Sequence, residues 1–363
     1  MITDPLLLDP VFKETLWGGD ALKRKLNKPL PQNTPIGESW EASGIDNNNS
    51  TISNGLFAGK KLSDVYLNNR SFFYRDSPKS ISFPLLTKFI DAQDNLSVQV
   101  HPDDAQAKTK KLGPNGKTES WYIVEAPPEG KIITGFNRTV TKQEVRQAID
   151  TRSLHELLNY IPIQAGDVLF VPAGTVHAIL KGTLIYEVQQ SCDVTLRMYD
   201  WGRTDSCGKS RMLHIEDSLE VLNTELQPDL KIKPLSMEVK SGVTHSYRSV
   251  CSFFALEQYS FHKNSSIDLE PKQSFRIITV LNQAAHLFFD GGDMIIDVGR
   301  TALVPACLKN LTLSGTNTTT VLHATVPDIK MEVIDPLRNR GVATESIALL
   351  GGSGKGNDLI KYL

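Results

Sequence analysis

With 363 residues, 40% of them hydrophobic and 22% charged, the chain is long enough to enclose two hydrophobic cores. Its formal net charge of −2 favours neither nucleic acid nor a membrane surface, and no apolar run approaches the roughly 20 residues of a membrane span. Met1 to Gly18 lacks a basic segment followed by an apolar stretch, and Cys192, Cys207, Cys251 and Cys307 form no CxxC pair. A cytoplasmic protein with reduced thiols and no signal peptide is therefore expected.

Pro5 to Pro10 predicts a short strand closed by proline, and Leu16-Trp17-Gly18-Gly19 a tight turn. Gly37 to Glu41 reads as an aromatic strand start, and Lys60 to Arg75 as one amphipathic helix with Leu62, Val65 and Tyr66 on one side. A hairpin follows: Pro84 to Asp91, turn residues at 93–95, and a return strand from Leu96 to His101. Leu96, Val98 and Val100 point one way, and Ser97, Gln99 and His101 the other. An amide and an imidazole on one strand face are costly to bury without partners. Lys88 lies on the neighbouring strand.

Asp103 to Leu112 predicts a short helix with acidic residues at its start. Lys117 to Val124 alternates again, with Lys117, Glu119 and Trp121 on one face. Thr141-Lys142-Gln143-Glu144 has the capping-box form and opens a helix to about Asp150; a second helix is expected from Leu154 to Tyr160, with His155 structural or exposed. Val168 to Val171 is a buried strand between two glycine turns, Thr175 to Ile179 another, and Leu184 to Gln190 a third that carries Ile185, Glu187 and Gln189 on one face. Ser191 to Arg203 is dense in charge, with Asp193, Arg197, Asp200 and Arg203.

A helix at His214 to Leu222 precedes a proline-bearing linker at Gln227 to Val239. Short strands then resume at 253–259, 275–281, 294–298, 301–305 and 319–324, which predicts a second β barrel or sandwich. Gly166-x5-Pro172-x-Gly174-x2-His177 recurs, weakened, as Gly299-x5-Pro305-x-Cys307, with Asn310 at the histidine position. That spacing points to two copies of one β unit, the second without the histidine. Gly351 to Gly356 lacks the P-loop spacing and reads as a flexible linker.

Gln99, His101, Glu119 and His177 form a mixed nitrogen and oxygen set on three strand-like segments. Two imidazoles, a carboxylate and an amide suit a borderline divalent ion, zinc first, with open positions for catalysis.

These motifs resemble those of the cupin superfamily, and within it the type I mannose-6-phosphate isomerase family. The match rests on Gln99-x-His101-Pro102-Asp103, Gly116-Lys117-x-Glu119-x-Trp121-Tyr122, and Pro172-x-Gly174-x2-His177-Ala178. Leu16 to Gly19, Gly37 to Glu41, Pro84 to Lys88, and Asp193-x3-Arg197 with Tyr199 to Arg203 support it. Gln99 departs from the usual cupin histidine, and Glu119 lies beyond the common spacing.

The resemblance covers roughly residues 5–325. It implies a mainly β fold of two cupin-type β-barrel (jelly-roll) domains. Residues 1–230 would form the catalytic domain with a helical insertion at about 138–160, residues 240–326 a degenerate second barrel, and 327–363 a tail without assigned role. It implies one Zn2+ per chain, held by Gln99, His101, Glu119 and His177, with manganese and cobalt as alternatives. Arg197, Lys117 and Glu187 would be catalytic, and Lys88 and Asp193 substrate-binding, with Arg203 a further candidate for phosphate. The implied reaction interconverts mannose 6-phosphate and fructose 6-phosphate through a cis-enediol. A sugar phosphate would be the only partner, with no nucleic acid or membrane, in a monomer or homodimer. A non-catalytic sugar-phosphate-binding cupin and a metal-dependent cupin oxygenase are the alternatives.

Overall fold

Several strands have no solvent-facing side. Every residue of Leu85–Ala92 and of Thr183–Gln190 is buried, so the sheet they share must be covered on both faces. The computed structural model, which describes residues 3–76, 80–204, 207–227, 230–354 and 356–363, achieves this with two two-layered β units set back to back.

The first unit faces a six-stranded antiparallel sheet, ordered Val168–Val171, Glu119–Glu125, Thr183–Gln190, Leu85–Ala92, Ile36–Ser43 and Val11–Gly19, with a five-stranded sheet. The smaller sheet runs Leu196–Tyr199, Val98–Val100, His177–Ile179, Lys131–Phe136 and Leu158–Pro162. The second unit repeats the six-strand order as Thr301–Val304, Arg276–Asn282, Thr320–Thr325, Ala255–Phe261, Val243–Val250 and Leu235–Lys240. Leu6–Asp9 and Thr51–Ile52 extend that sheet to eight strands, and a four-stranded sheet completes the unit.

The register repeats as well as the order. Glu119 is paired with Val171 on one side and Gln189 on the other; Arg276 is paired with Val304 and Thr325. The pairing slips at Trp40/Ala42 in the first sheet and at the matching Tyr247/Ser249 in the second. The turn glycines of the sequence repeat, Gly166 and Gly299, both have positive φ, at 89° and 76°. A Cβ on Gly299 would also lie 2.0 Å from the Leu26 carbonyl oxygen, so only glycine fits there.

The two large sheets meet through one apolar cluster that includes Phe89, Phe170, Tyr186 and Val188 from the first and Leu256, Ile277, Leu322 and Ala324 from the second. Ile334, Leu337, Ile347, Leu350 and Leu359 of the tail belong to the same cluster. Five such buried side chains contribute on the order of 10 kcal/mol, so residues 327–363 are part of the core. The Gly351 to Gly356 stretch is tied down where it is described: the Asn357 side chain donates to the carbonyls of Ala348 and Gly352, 2.7 Å each. Lys355 lies outside the described residues. At the junction, Lys28 Nζ donates to Glu41 Oε1 and to the Gly299 carbonyl, 2.5 Å each, with both side chains almost fully buried.

Four expectations about local structure need correction. Leu16 to Gly19 is the end of the strand Val11–Gly19. The single helix at 60–75 is two, Leu62–Asn68 and Arg70–Phe73, because Asn69 leaves helical geometry (φ −135°) and turns its amide back onto the Val65 carbonyl at 2.8 Å. The helix at 154–160 is a single turn, Leu154–Glu156, followed by the strand Leu158–Pro162, which pairs with Lys131–Phe136; strand pairing overrides local propensity there. The linker at 227–239 is also structured. Phe170 N–H donates to Leu230 O and Ile232 N–H to Val168 O, which covers the edge of the six-stranded sheet, and Leu235–Lys240 is a strand. Residues 228–229 lie outside the described residues. The capping box forms as expected: Thr141 Oγ1 accepts from Glu144 N–H (3.1 Å) and Glu144 Oε2 from Thr141 N–H (2.7 Å).

Candidate active site

The polar row of the six-stranded sheet is set by its register. Trp121, Glu187, Lys88 and Trp40 are partners across four strands, with Glu119 opposite Gln189 in the next inward-facing row. The facing sheet contributes His177, Gln99 and Arg197 as partners across three strands. His101 and Lys117 approach from the chain just beyond or before their strands; they are tied together by the Lys117 N–H bond to Pro102 O at 2.9 Å.

His101, Glu119 and His177 converge. His177 Nε2 is 3.3 Å from Glu119 Oε1, and His101 Nε2 is 3.7 Å from Glu119 Oε2. All three side chains are at most 1% exposed, and their donor atoms lie within 4.8 Å of one another. Each imidazole is held from behind: His101 Nδ1 lies 2.8 Å from the Val194 carbonyl and His177 Nδ1 2.8 Å from that of Thr175. A carbonyl can only accept, so both Nδ1 atoms carry the proton and both Nε2 lone pairs face the cluster. Burial first, and Lys117 second, keep the rings neutral, with His177 pushed down to about 3 and His101 well below its ordinary value. Trp121 braces His177 edge-on at 5.3 Å between ring centres.

This arrangement fits a divalent ion. Both Glu119 oxygens are buried; Oε1 accepts no hydrogen bond, and Oε2 has the Lys117 ammonium beside it, at 2.7 Å. Tetrahedral zinc ligands stand about 3.3 Å apart, close to the spacings here. Gln99 stands beside this group, its Nε2 3.2 Å from His177 Nε2, and a flip of the amide would turn its oxygen toward the cluster.

A second constellation adjoins the first. Lys117 Nζ is 2.7 Å from Glu119 Oε2, 2.9 Å from His101 Nε2 and 3.9 Å from Glu187 Oε1. Lys88 Nζ stands between two carboxylates, Glu187 at 3.2 Å and Glu38 at 3.3 Å. Burial would lower the Lys88 ammonium, but Glu187 and Glu38 outweigh it and hold it above its ordinary value. Burial, reinforced by Glu119, raises the Glu187 carboxyl against the pull of Lys88 and Lys117. Glu38 goes the other way: burial opposes ionisation, but Lys88 and a 2.7 Å hydrogen bond from the Trp40 indole keep it low. The sequence reading assigned Glu38 no role. The alternation of Gly37 to Glu41, which puts Glu38 and Trp40 on one face, was the available signal.

The remaining candidates lie apart. Arg197 shares a row with Gln99, but its guanidinium turns toward the 200–212 segment and donates to Met212 O at 2.9 Å, with Nε buried and without a hydrogen bond. Burial first, then Arg211, lower its pKa. Arg203 and Arg211 both pair with Asp200, at 2.7 and 2.5 Å, and Arg197 feels the same carboxylate only through space. Asp193 is exposed but within the electrostatic reach of Lys88, Glu38 and Lys117.

A family description of the type I phosphomannose isomerase catalytic domain matches residues 6–137. Mannose-6-phosphate isomerase ManA of Bacillus subtilis (strain 168) is 35% identical over 315 residues, 87% of this chain and 97% of that protein. The chain belongs to the type I mannose-6-phosphate isomerase family. Mannose-6-phosphate isomerase of Streptococcus mutans is likewise 35% identical, over 314 residues, 86% of this chain and 96% of that one. The crystal structure of mannose 6-phosphate isomerase from Bacillus subtilis superposes with a TM-score of 0.81 at 31% identity, covering 89% of this chain and 99% of that one. The mainly β architecture expected from the sequence is thus that of the isomerase family. No helix among the described residues is long and apolar enough to cross a membrane.

Proposed function

We propose that this isomerase interconverts mannose 6-phosphate and fructose 6-phosphate through a cis-enediol at a zinc centre held by His101, Glu119, His177 and Gln99. The observation that carries the reading is the pair of Nε2 lone pairs converging on one buried carboxylate, with the three donor sets within 4.8 Å of one another and each imidazole fixed from behind by a backbone carbonyl. When bound, the ion supplies Lewis-acid polarisation of the substrate's oxygens.

Charge balance supports the same reading. Glu38, Glu187 and Glu119 against Lys88 and Lys117 leave one net negative charge, which repels an anionic substrate. A dication reverses that sign.

The chain's own groups then divide the work. Glu187, buried and with its carboxyl raised, takes the proton from C2 of the aldose and returns it at C1 of the enediol. Lys88 is committed to Glu187 and Glu38, so it orients the base rather than the phosphate. Lys117 faces both Glu119 and Glu187 and stabilises negative charge on the enediol oxygens in a site shielded from water. Arg197 has a donor to spare and belongs to a surplus of positive charge. With Arg203 and Arg211 it supplies the field for the charged part of the substrate.

The test is a coupled assay for fructose 6-phosphate from mannose 6-phosphate, run before and after chelation and with zinc, manganese and cobalt added back separately. Activity lost on chelation and restored best by zinc is expected. Full activity after verified removal of metal would refute the metal-centred reading.

A further inference from the structure

The second unit carries a cavity of about 470 Å³ for which the isomerase reaction has no use. That volume lies in the range of small-molecule sites. Tyr247, Tyr259 and His245 form one wall, with His245 stacked on Tyr259 at 4.5 Å and 6°. Glu257 and Lys272 lie among the lining residues.

Matched register lets this wall be compared, position by position, with that of the first unit. Glu38 is replaced by His245, Lys88 by Glu257, Glu187 by His323 and Glu119 by Arg276, while Trp40 becomes Tyr247. Each acidic position has become basic, and the basic one acidic. Arg276 standing where the carboxylate ligand stands excludes a metal centre of the first kind.

The inverted row is a wired network. Glu257 is 0% exposed and lies 2.6 Å from His245 Nε2 and 2.8 Å from Lys272 Nζ. Arg276 donates to the Glu270 carbonyl. His323 is 1% exposed, and its Nδ1 makes no hydrogen bond. Apolar replacements for such a buried ion cluster are often neutral or stabilising, so stability alone does not account for its presence beside an open cavity.

The lining also selects a ligand class. Four carboxylates, Glu257, Asp268, Glu270 and Glu332, outnumber the cations Lys272 and Arg340, so the cavity has no surplus charge for a phosphate. It offers the exposed margins of Tyr247 and Tyr259, an apolar patch at Met331, and interspersed donors and acceptors. Those features suit a neutral ring that carries many hydroxyls. We propose that the cavity of the second unit binds an uncharged monosaccharide, at a site separate from the metal-centred one.

Methionine-methyl NMR of the full-length, metal-loaded enzyme tests this, because Met331 lines the cavity. The probes are D-mannose, D-glucose and D-fructose, with mannose 6-phosphate as the anionic control. A saturable shift of the Met331 methyl with a neutral hexose is expected, at a Kd of about 1 mM. Tyr259→Leu should weaken it about tenfold. Glu270→Ala, at an exposed position, should weaken it with isomerase turnover intact, and it keeps the test open if Tyr259→Leu does not fold. A Met331 methyl unmoved by any neutral hexose, one moved only by the sugar phosphate, or a shift unchanged in Glu270→Ala would each overturn the proposal.

Discussion

Lys88→Met tests the proposed division of labour between the metal ligands and Glu187 as proton carrier. The ammonium lies 3.2 Å from Glu187 and 3.3 Å from Glu38. At an effective dielectric constant near 20, each contact is worth about 5 kcal/mol of Coulomb attraction before desolvation. Removing one member of such a buried network costs roughly 3–5 kcal/mol, because the partners stay behind unpaired. Glu187 is the more buried partner, at 2% exposure against 19% for Glu38, and its carboxyl is already raised by burial and by Glu119. Its escape is to take up a proton. A protonated Glu187 is no base, so kcat should fall by about a hundredfold or more at neutral pH.

The sign of the pH dependence follows. A carboxyl raised further recovers its charge only as pH rises, so the variant's rate should climb toward alkaline pH relative to the parent enzyme. Metal content should not change, since Lys88 touches none of the proposed ligands. Steady-state kinetics across pH, metal analysis, and the cycle with Glu187→Gln together decide it. Wild-type kcat in Lys88→Met would refute the reasoning. So would a full additional loss when Lys88→Met is added to Glu187→Gln, because that would place Lys88 on the substrate.

Glu119→Gln should lose bound metal by elemental analysis and turnover with it, because a neutral amide replaces the one carboxylate of the set. Arg197→Ala should retain metal and lose most turnover; normal isomerisation by that variant would remove Arg197 from the reaction. Glu257 supplies a pH test of stability. Burial opposes its ionisation, but Lys272, His245 and His323 hold it well below the ordinary carboxyl range. Its contribution is therefore present above the unfolded value of about 4.3 and lost as pH falls toward the folded one. Denaturant titrations from neutral to acid pH should show a shallower loss in Glu257→Gln than in the parent, and equal slopes would argue against the network.

What could be read from the sequence was local. Lys117, Glu119 and Trp121 fall on one face by a period of two residues, and the glycine and proline spacing around His177 marks its turn without reference to the rest of the chain. The four proposed metal ligands were legible for that reason. The commitment of Lys88 was not, because it depends on Glu38 and Glu187, which come from strands far away in sequence. The strand at Leu158–Pro162 was missed in the same way: its pairing partner decides its conformation, and the residues alone favour a helix. Arg197 could be read only as part of a charge-dense segment; that it lies on a strand beside Gln99, with its side chain turned toward Met212, depends on pairing that the sequence did not reveal. The tail offered helical signals and apolar residues. Only the meeting of two sheets showed that these residues complete a core.

The N-terminal strand has a further consequence. Leu6 pairs with Leu303, and Leu8 with Thr301, so this strand belongs to a sheet whose partner on that side is made roughly 300 residues later. At about 5–20 residues per second, that strand waits some 15–60 s for its neighbour. During that time Thr51–Ile52 can pair with one edge of the strand, but the edge that meets Thr301–Val304 has no partner, while the segments of the first unit are already available to fold. Biosynthesis of this enzyme thus contains a built-in interval of vulnerability to strand-edge association, set by topology rather than by the final stability. A circular permutant that begins just before the second unit and joins the old termini would shorten that interval without altering a single contact of the metal-centred site.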